Sequence, residues 1–129
     1  MNQASVTTEQ KKRIENFLKG YAMNRKLLSM EKYKKAYFPD DVEDKDTPSE
    51  EPLAKARMFE VRHFILSLDN SDEKLFLYYH YVKSDSVERC AELLGISERG
   101  GYRLKNRALA LAYKKKFEDA QTTAPTEKF

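Results

Sequence analysis

Four glycines and four prolines are the only strong helix breakers in 129 residues, and between them apolar side chains recur mainly at intervals of three and four. That spacing gathers apolar groups on one side of an α-helix, while the strict alternation of a half-buried strand is missing. The chain is therefore expected to be all-α. Thr7 and Gln10 have the spacing of a capping box and open a long N-terminal helix, along which Ile14, Phe17, Leu18, Tyr21, Leu28 and Met30 recur until Pro39. Gly20 is expected to loosen this helix midway. Pro52 suits the first turn of a second helix whose buried face would be Leu53, Ala56, Phe59, Phe64 and Leu68. Asn70 and Glu73 repeat the capping-box spacing before LFLYYHYV, a run that would suit a buried strand if it stood alone. The cap, the spacing Leu75, Tyr78 or Tyr79, Val82, and the lack of a second convincing strand favour helix instead. Ser86 then caps a short helix to Leu94, Gly95 turns the chain, and Ser97 caps a last helix to about Phe117.

Net charge is +3 and the isoelectric point near 8.9, too mild to identify a partner, but the charge is unevenly placed. Lys11 to Lys35 is basic, Asp40 to Glu51 strongly acidic and Arg99 to Lys116 basic again. Segment 39–52, PDDVEDKDTPSEEP, has the composition of a solvated linker between a basic N-terminal helix (1–38), expected to oligomerise, and a helical domain over 53–117; residues 118–129 read as a frayed tail. Cys90 has no partner for a disulfide within the chain, and neither a signal-peptide core nor a membrane-spanning run follows Met1. A cytoplasmic protein without membrane contact is expected. His63, His80 and Cys90 lack the close spacing of metal ligands, and phosphate loop, HExxH and nucleophile elbow are missing, so the expectation is no cofactor, no metal and no enzyme activity. Tyr78, Tyr79 and Tyr81 are expected in the core rather than stacked on bases.

The most specific stretch is VERCAELLGISERGGYRLKNRAL, Val87 to Leu109. Ala91 is small where two helices would cross, Gly95 suits a left-handed turn, Leu94 and Ile96 would seal that turn, and Leu104 would return to the core. This is the pattern of a DNA-binding helix-turn-helix over 86–116, with double-stranded DNA as the expected partner. With Leu104, Ala108 and Leu111 inward, Arg99, Gly100, Arg103, Asn106 and Arg107 face outward, flanked by Glu98 and Tyr102. Arginine can form two hydrogen bonds to guanine and asparagine two to adenine, so Arg99, Arg103 and Asn106 are the expected base readers, with Ser97 and Lys105 expected at phosphates.

From Leu75 onward, LYYHYVKSDSVERCAELLGISERGGYRLKNRALALA resembles region 4 of sigma-70-type factors and, more closely, phage transcriptional regulators of the ArpU type. The resemblance rests on Leu93 to Arg99 and on Tyr102, Arg103, Leu104, Lys105, Ala108 and Leu109. It implies a DNA-binding regulator that activates late or lytic phage genes; contact with RNA polymerase through the sigma-like region and a homodimer formed by the basic N-terminal helix are expected alongside it. Two other classes suit the same features: the DNA-recognition subunit of a phage packaging terminase, and a protein-interaction module whose helix-turn-helix no longer binds DNA. One departure stands out, because Gly100 and Gly101 replace a threonine and a bulky apolar residue of the family pattern. Each glycine costs on the order of 1 kcal/mol relative to alanine within a helix, so the last helix is expected to fray at its start. Gly101→Val is on this reading expected to stabilise the protein.

Overall fold

The computed structural model describes residues 6–38 and 50–119. It comprises α1 (Thr8–Tyr37), α2 (Glu51–Leu66), α3 (Ser71–Leu77) continued by a π-helical turn over Tyr78–Val82, α4 (Val87–Leu94), and α5 (Glu98–Tyr113) continued by a π-helical turn over Lys114–Asp119. No strand occurs among the described residues, so the all-α expectation holds, LFLYYHYV included. The acidic linker lies outside the described residues except at Glu50 to Pro52, as does the tail beyond Asp119. No described helix is long and apolar enough to cross a membrane.

Local chemistry sets most helix ends. The Thr7 hydroxyl accepts from the Gln10 backbone N–H at 3.1 Å and the Gln10 side chain accepts from the Thr7 N–H at 2.9 Å, the reciprocal pair that satisfies two otherwise orphaned donors. α1 runs unbroken through Gly20, whose carbonyl additionally accepts from Asn24 Nδ2 at 2.7 Å. Pro52 sits in the first turn of α2, where its missing N–H costs nothing. Asn70 precedes α3 in extended conformation but makes no side-chain cap, and Glu73 accepts instead from Arg107 Nε at 2.9 Å. The second expected capping box is therefore not formed.

One core unites the elements. Ile14 and Leu18 of α1 are fully buried with Ile65 and Leu68 at the α2 end, Phe76 and Leu77 of α3, Cys90 of α4, and Leu104, Ala108 and Ala112 of α5. The first half of α1 thus shares its core with residues 53–117. The buried face of α2 is Ala54, Val61, Ile65 and, beyond its end, Leu68; Leu53, Ala56 and Phe59 are exposed and Phe64 is half-buried against Phe17. α2 carries apolar residues on two sides, and packing against α1 selects Ala54, Val61 and Ile65 in place of the expected Leu53, Ala56 and Phe59. Leu75 likewise points outward while Phe76 and Leu77 are buried. Tyr81 is buried, and Tyr78 and Tyr79 are half-buried against the core.

Two polar ties lock the centre. Glu15 of α1 accepts from Tyr81 Oη at 2.5 Å and lies 3.5 Å from Lys105 Nζ. Partial burial pushes its pKa up, but the Tyr81 hydrogen bond and Lys105 outweigh that and hold it below the usual value. His80 Nδ1 stands 2.7 Å from the Asp85 carbonyl, which can only accept, so this nitrogen carries the proton. Burial dominates at the ring and lowers its pKa, keeping it neutral despite that hydrogen bond. The Cys90 thiol, on the same carbonyl at 3.8 Å, is pushed up to about 11 by burial and then by the Asp85 charge, so it is protonated and a poor nucleophile.

A pH prediction follows from His80. Its folded-state pKa lies below that of the unfolded chain, so the unfolded state binds the proton first as pH falls. The contribution of neutral His80 is complete above the unfolded value of about 6.5 and is lost progressively below it. Urea unfolding from pH 8 to 5 should show stability falling through this window, and His80→Gln should flatten that fall. An identical slope in the variant would show that His80 is not responsible.

Candidate nucleic-acid interface

α4, the turn and α5 are each bounded by local hydrogen bonds. Ser86 Oγ accepts from the Arg89 N–H at 3.1 Å and Ser97 Oγ from the Gly100 N–H at 3.0 Å, so both helices begin on a side-chain cap. Between them Gly95 takes φ 72°, the left-handed conformation that carries no penalty for glycine. The Ile96 N–H then closes onto the Ala91 carbonyl at 2.9 Å. α5 is helical from Glu98, through both glycines, so the expected fraying is not seen.

Gly101 explains why the two helices can lie so close. It is buried, and a Cβ built on it would stand 2.9 Å from Ala91 Cβ and 3.4 Å from both Cγ1 and the carbonyl oxygen of Val87. The neighbours are α4 backbone and stiff short side chains, so little can move aside. The expectation that Gly101→Val stabilises the protein is therefore overturned: no vacant packing site awaits the side chain. Gly100 is half-buried over the cap, 3.2 Å from Ser97 Oγ on the same construction.

The sequence-predicted site residues fall into two groups. Arg99, Arg103 and Asn106 are exposed, on the side of α5 away from buried Leu104 and Ala108, and none makes a hydrogen bond or ion pair with any described residue. Glu98 is exposed beside them. The rest are partly committed within the protein. Ser97 is the cap. Tyr102 donates its hydroxyl to Glu88 Oε2 at 2.8 Å, which raises the tyrosine pKa and lowers that of the carboxylate. Arg107 is tied to Glu73 across to α3 but remains largely exposed.

Lys105 requires a correction. Its side chain is only 26% exposed and reaches inward to Glu15 of α1, so it is not on the outward face and is not placed to hold a phosphate there. Its expected role at a phosphate took no account of Glu15, which lies 90 residues upstream, where no local pattern reports it. Lys116 lies 4.0 Å over the Phe17 ring, and Arg13 lies 4.3 Å over the Phe117 ring, pinning the end of the last helix to the start of α1.

Electrostatics restrict the direction from which a polyanion can approach. The groove between α4 and the start of α5 is lined by Ser86, Glu88, Arg89, Glu92, Ile96 and Glu98, with Arg89 neutralised by Glu92 at 2.8 Å. Three carboxylates against one paired arginine disfavour a phosphate backbone in this groove. A second cleft, among Asp72, Leu94, Ile96, Gly100, Arg103 and Arg107, carries Arg103 beside Asp72 and beside Arg107, which Glu73 neutralises at 2.9 Å. The positive surface therefore runs along Arg99 and Arg103. Among the described residues no group of His, Cys, Asp and Glu could hold a metal ion. No family model, curated protein or solved structure matches the chain.

Proposed function

We propose that the protein is a sequence-specific regulator of transcription that binds double-stranded DNA through α4, the Gly95 turn and α5. The observation that carries this reading is the outward face of α5: Arg99, Arg103 and Asn106 project from a capped helix and have no hydrogen-bond or ion-pair partner among the described residues. An α-helix fits the major groove of B-DNA, and these side-chain types are those with a two-bond match to guanine and adenine edges. Exposed arginine without an internal partner has no role in holding this fold, while the same group beside DNA gains charge-assisted bonds. Arg107 has guanidinium donors beyond the one given to Glu73, enough to reach a phosphate without leaving α3.

The finer part of the proposal rests on the resemblance to sigma-70 region 4 and to ArpU-type phage regulators. On it, the protein activates late or lytic phage genes and contacts RNA polymerase while bound at the promoter. Selecting bound sequences from a random duplex pool tests the core of the reading, and recovery of no consensus would overturn sequence-specific binding. Salt provides an independent measure. For two or more phosphate contacts the association constant should fall at least about tenfold over a roughly fourfold rise in salt, because held phosphates release condensed counterions. Affinity that does not respond to salt would remove the DNA reading.

A second reading, a protein-interaction module, is favoured by one observation: Glu88, Glu92 and Glu98 lie directly beside the start of α5. On that reading the same surface would bind a basic protein partner, and no duplex would be retained at low salt.

A further inference from the structure

We infer that Arg25 of α1 is a positioning residue for the DNA-reading face: it fixes the loop 83–86 and, through the first turn of α4, the start of α5. Only the last step, from α5 to DNA, rests on the DNA reading. The Arg25 guanidinium donates through Nη1 to the Val82 carbonyl at 3.3 Å and through Nη2 to Ser84 Oγ at 2.9 Å. Behind it lies the Tyr21 ring, 5.8 Å away and one turn back on α1. No carboxylate among the described residues pairs with this arginine, so both of its polar contacts go to one loop on the far side of the sequence.

The backbone of that loop is strained. Ser84 takes φ 65°, and among the described residues no other residue except glycine has a positive φ. A serine stays in this left-handed region only where its surroundings enforce it, and such sites cluster where geometry serves function. The two bonds from Arg25 bracket the strained residue, one on the carbonyl two positions before it and one on its own side chain. On the next residue, the Asp85 N–H donates to the Tyr79 carbonyl at 2.9 Å and the Asp85 carbonyl meets His80 Nδ1 at 2.7 Å. Arg25 is thus the one tie that reaches this loop from another helix by hydrogen bonds among the described residues.

From the loop the path to the reading helix is short. Ser86 caps α4 by accepting from the Arg89 N–H, and its carbonyl accepts from the Cys90 N–H at 2.9 Å. The next two residues are the ones that meet α5. Val87 lines the close approach at Gly101, and Glu88 Oε2 accepts from the Tyr102 hydroxyl at 2.8 Å. Tyr102 in turn flanks the outward face between Arg99 and Asn106. The crowded contact at Gly101 leaves the first turn of α4 no room to slide over α5, so a shift of the loop is passed on to the start of α5 and to the Tyr102 ring.

Hydrogen exchange of the free protein, read together with duplex binding, is the test. In Arg25→Ala the Asp85, Arg89 and Cys90 amides should exchange at least about threefold faster while those of Leu104 and Ala108 keep their rates. Affinity for the selected duplex should fall about three- to tenfold, with the salt slope of the wild type, since Arg25 holds no phosphate. Tyr102→Phe cuts the last link, so adding Arg25→Ala to it should cost less than about twofold more. Arg25→Lys keeps the charge without the two-pronged reach and should recover only part of the loss. Unchanged exchange at the three amides, equal acceleration throughout the protein, a salt slope smaller by about one unit, additive losses with Tyr102→Phe, or full recovery with lysine would each overturn the inference. A wild-type chain that retains no duplex would overturn the DNA reading instead, and the exchange rates would still decide whether Arg25 sets the start of α4.

Discussion

Gly101→Val is expected to lower the melting temperature by on the order of 5–15 °C, the largest effect of any single substitution considered for this fold. The added Cβ would stand 2.9 Å from Ala91 Cβ, and valine adds two further methyl groups in the same crowded space. Overpacking of this kind costs about 1–3 kcal/mol or somewhat more, and 1 kcal/mol moves the midpoint of a domain of this size by roughly 4–8 °C. Against this, exchanging glycine for β-branched valine gains only about a few tenths of a kcal/mol of helix propensity, so the clash prevails. Gly101→Ala meets the same 2.9 Å contact with a smaller group and should lie between wild type and valine. The cause can be isolated by a swap. Ala91→Gly removes the opposing Cβ, so Ala91→Gly/Gly101→Ala should recover most of the stability that Gly101→Ala loses. A Gly101→Val protein that melts at or above the wild-type temperature would show that α4 and α5 are not held together by this contact.

Arg99→Ala and Arg103→Ala should each weaken binding to a selected duplex by about 1–3 kcal/mol, roughly 5- to 150-fold, and relax preference at one base pair. One helical turn separates them on the outward face, so both can enter a single groove. Neither has a partner among the described residues, and stability should hardly change. Lys105→Ala is the contrast. Because Lys105 reaches Glu15, its loss should lower the melting temperature by a few degrees and leave DNA affinity and the salt slope as they were. Binding to the selected and a scrambled duplex should be compared for all three variants. Equal losses on both duplexes for the two arginines would mean that neither reads a base. A reduced salt slope for Lys105→Ala would mean that it leaves Glu15 for a phosphate on binding.

Those two predictions mark the limits of what could be read from the chain. Helix starts were legible where the deciding bond is local: Thr7, Ser86 and Ser97 each accept from a backbone N–H three residues on. Asn70 had the same local spacing, yet Glu73 is drawn off by Arg107, 34 residues away, and the box does not close. Which side of a helix is buried was legible for α5, with one apolar side, and not for α2, with two. In the third helix the π-helical turn after Leu77 changes the angular register, so an α-helical count through Leu75 selected the wrong face. At the site, the outward position of Arg99, Arg103 and Asn106 followed from Leu104 and Ala108 pointing in. Lys105 and Gly101 were misread for a common reason. Their environments are made by Glu15 and Ala91, on other helices, and intrinsic preference for a helix carries no information about what is packed against it.

α1 also sets a rule of phase for the whole molecule. It is one uninterrupted helix of 30 residues, with its core side fixed by Ile14 and Leu18 and its other apolar side beginning at Met23. At about 100° and 1.5 Å per residue, inserting a single residue near Gly20 would leave every side chain in place chemically but turn all that follows through more than a quarter circle. Met30 and Tyr37 would swing off their line, and the Arg25 guanidinium, now 3.3 Å from the Val82 carbonyl, would be carried away from it. A seven-residue insertion would restore the angle while lengthening the arm by about 10 Å. The length of this segment is thus quantised: it tolerates substitution at most outward positions, yet insertions and deletions only in lengths close to whole turns, such as about seven, eleven or eighteen residues.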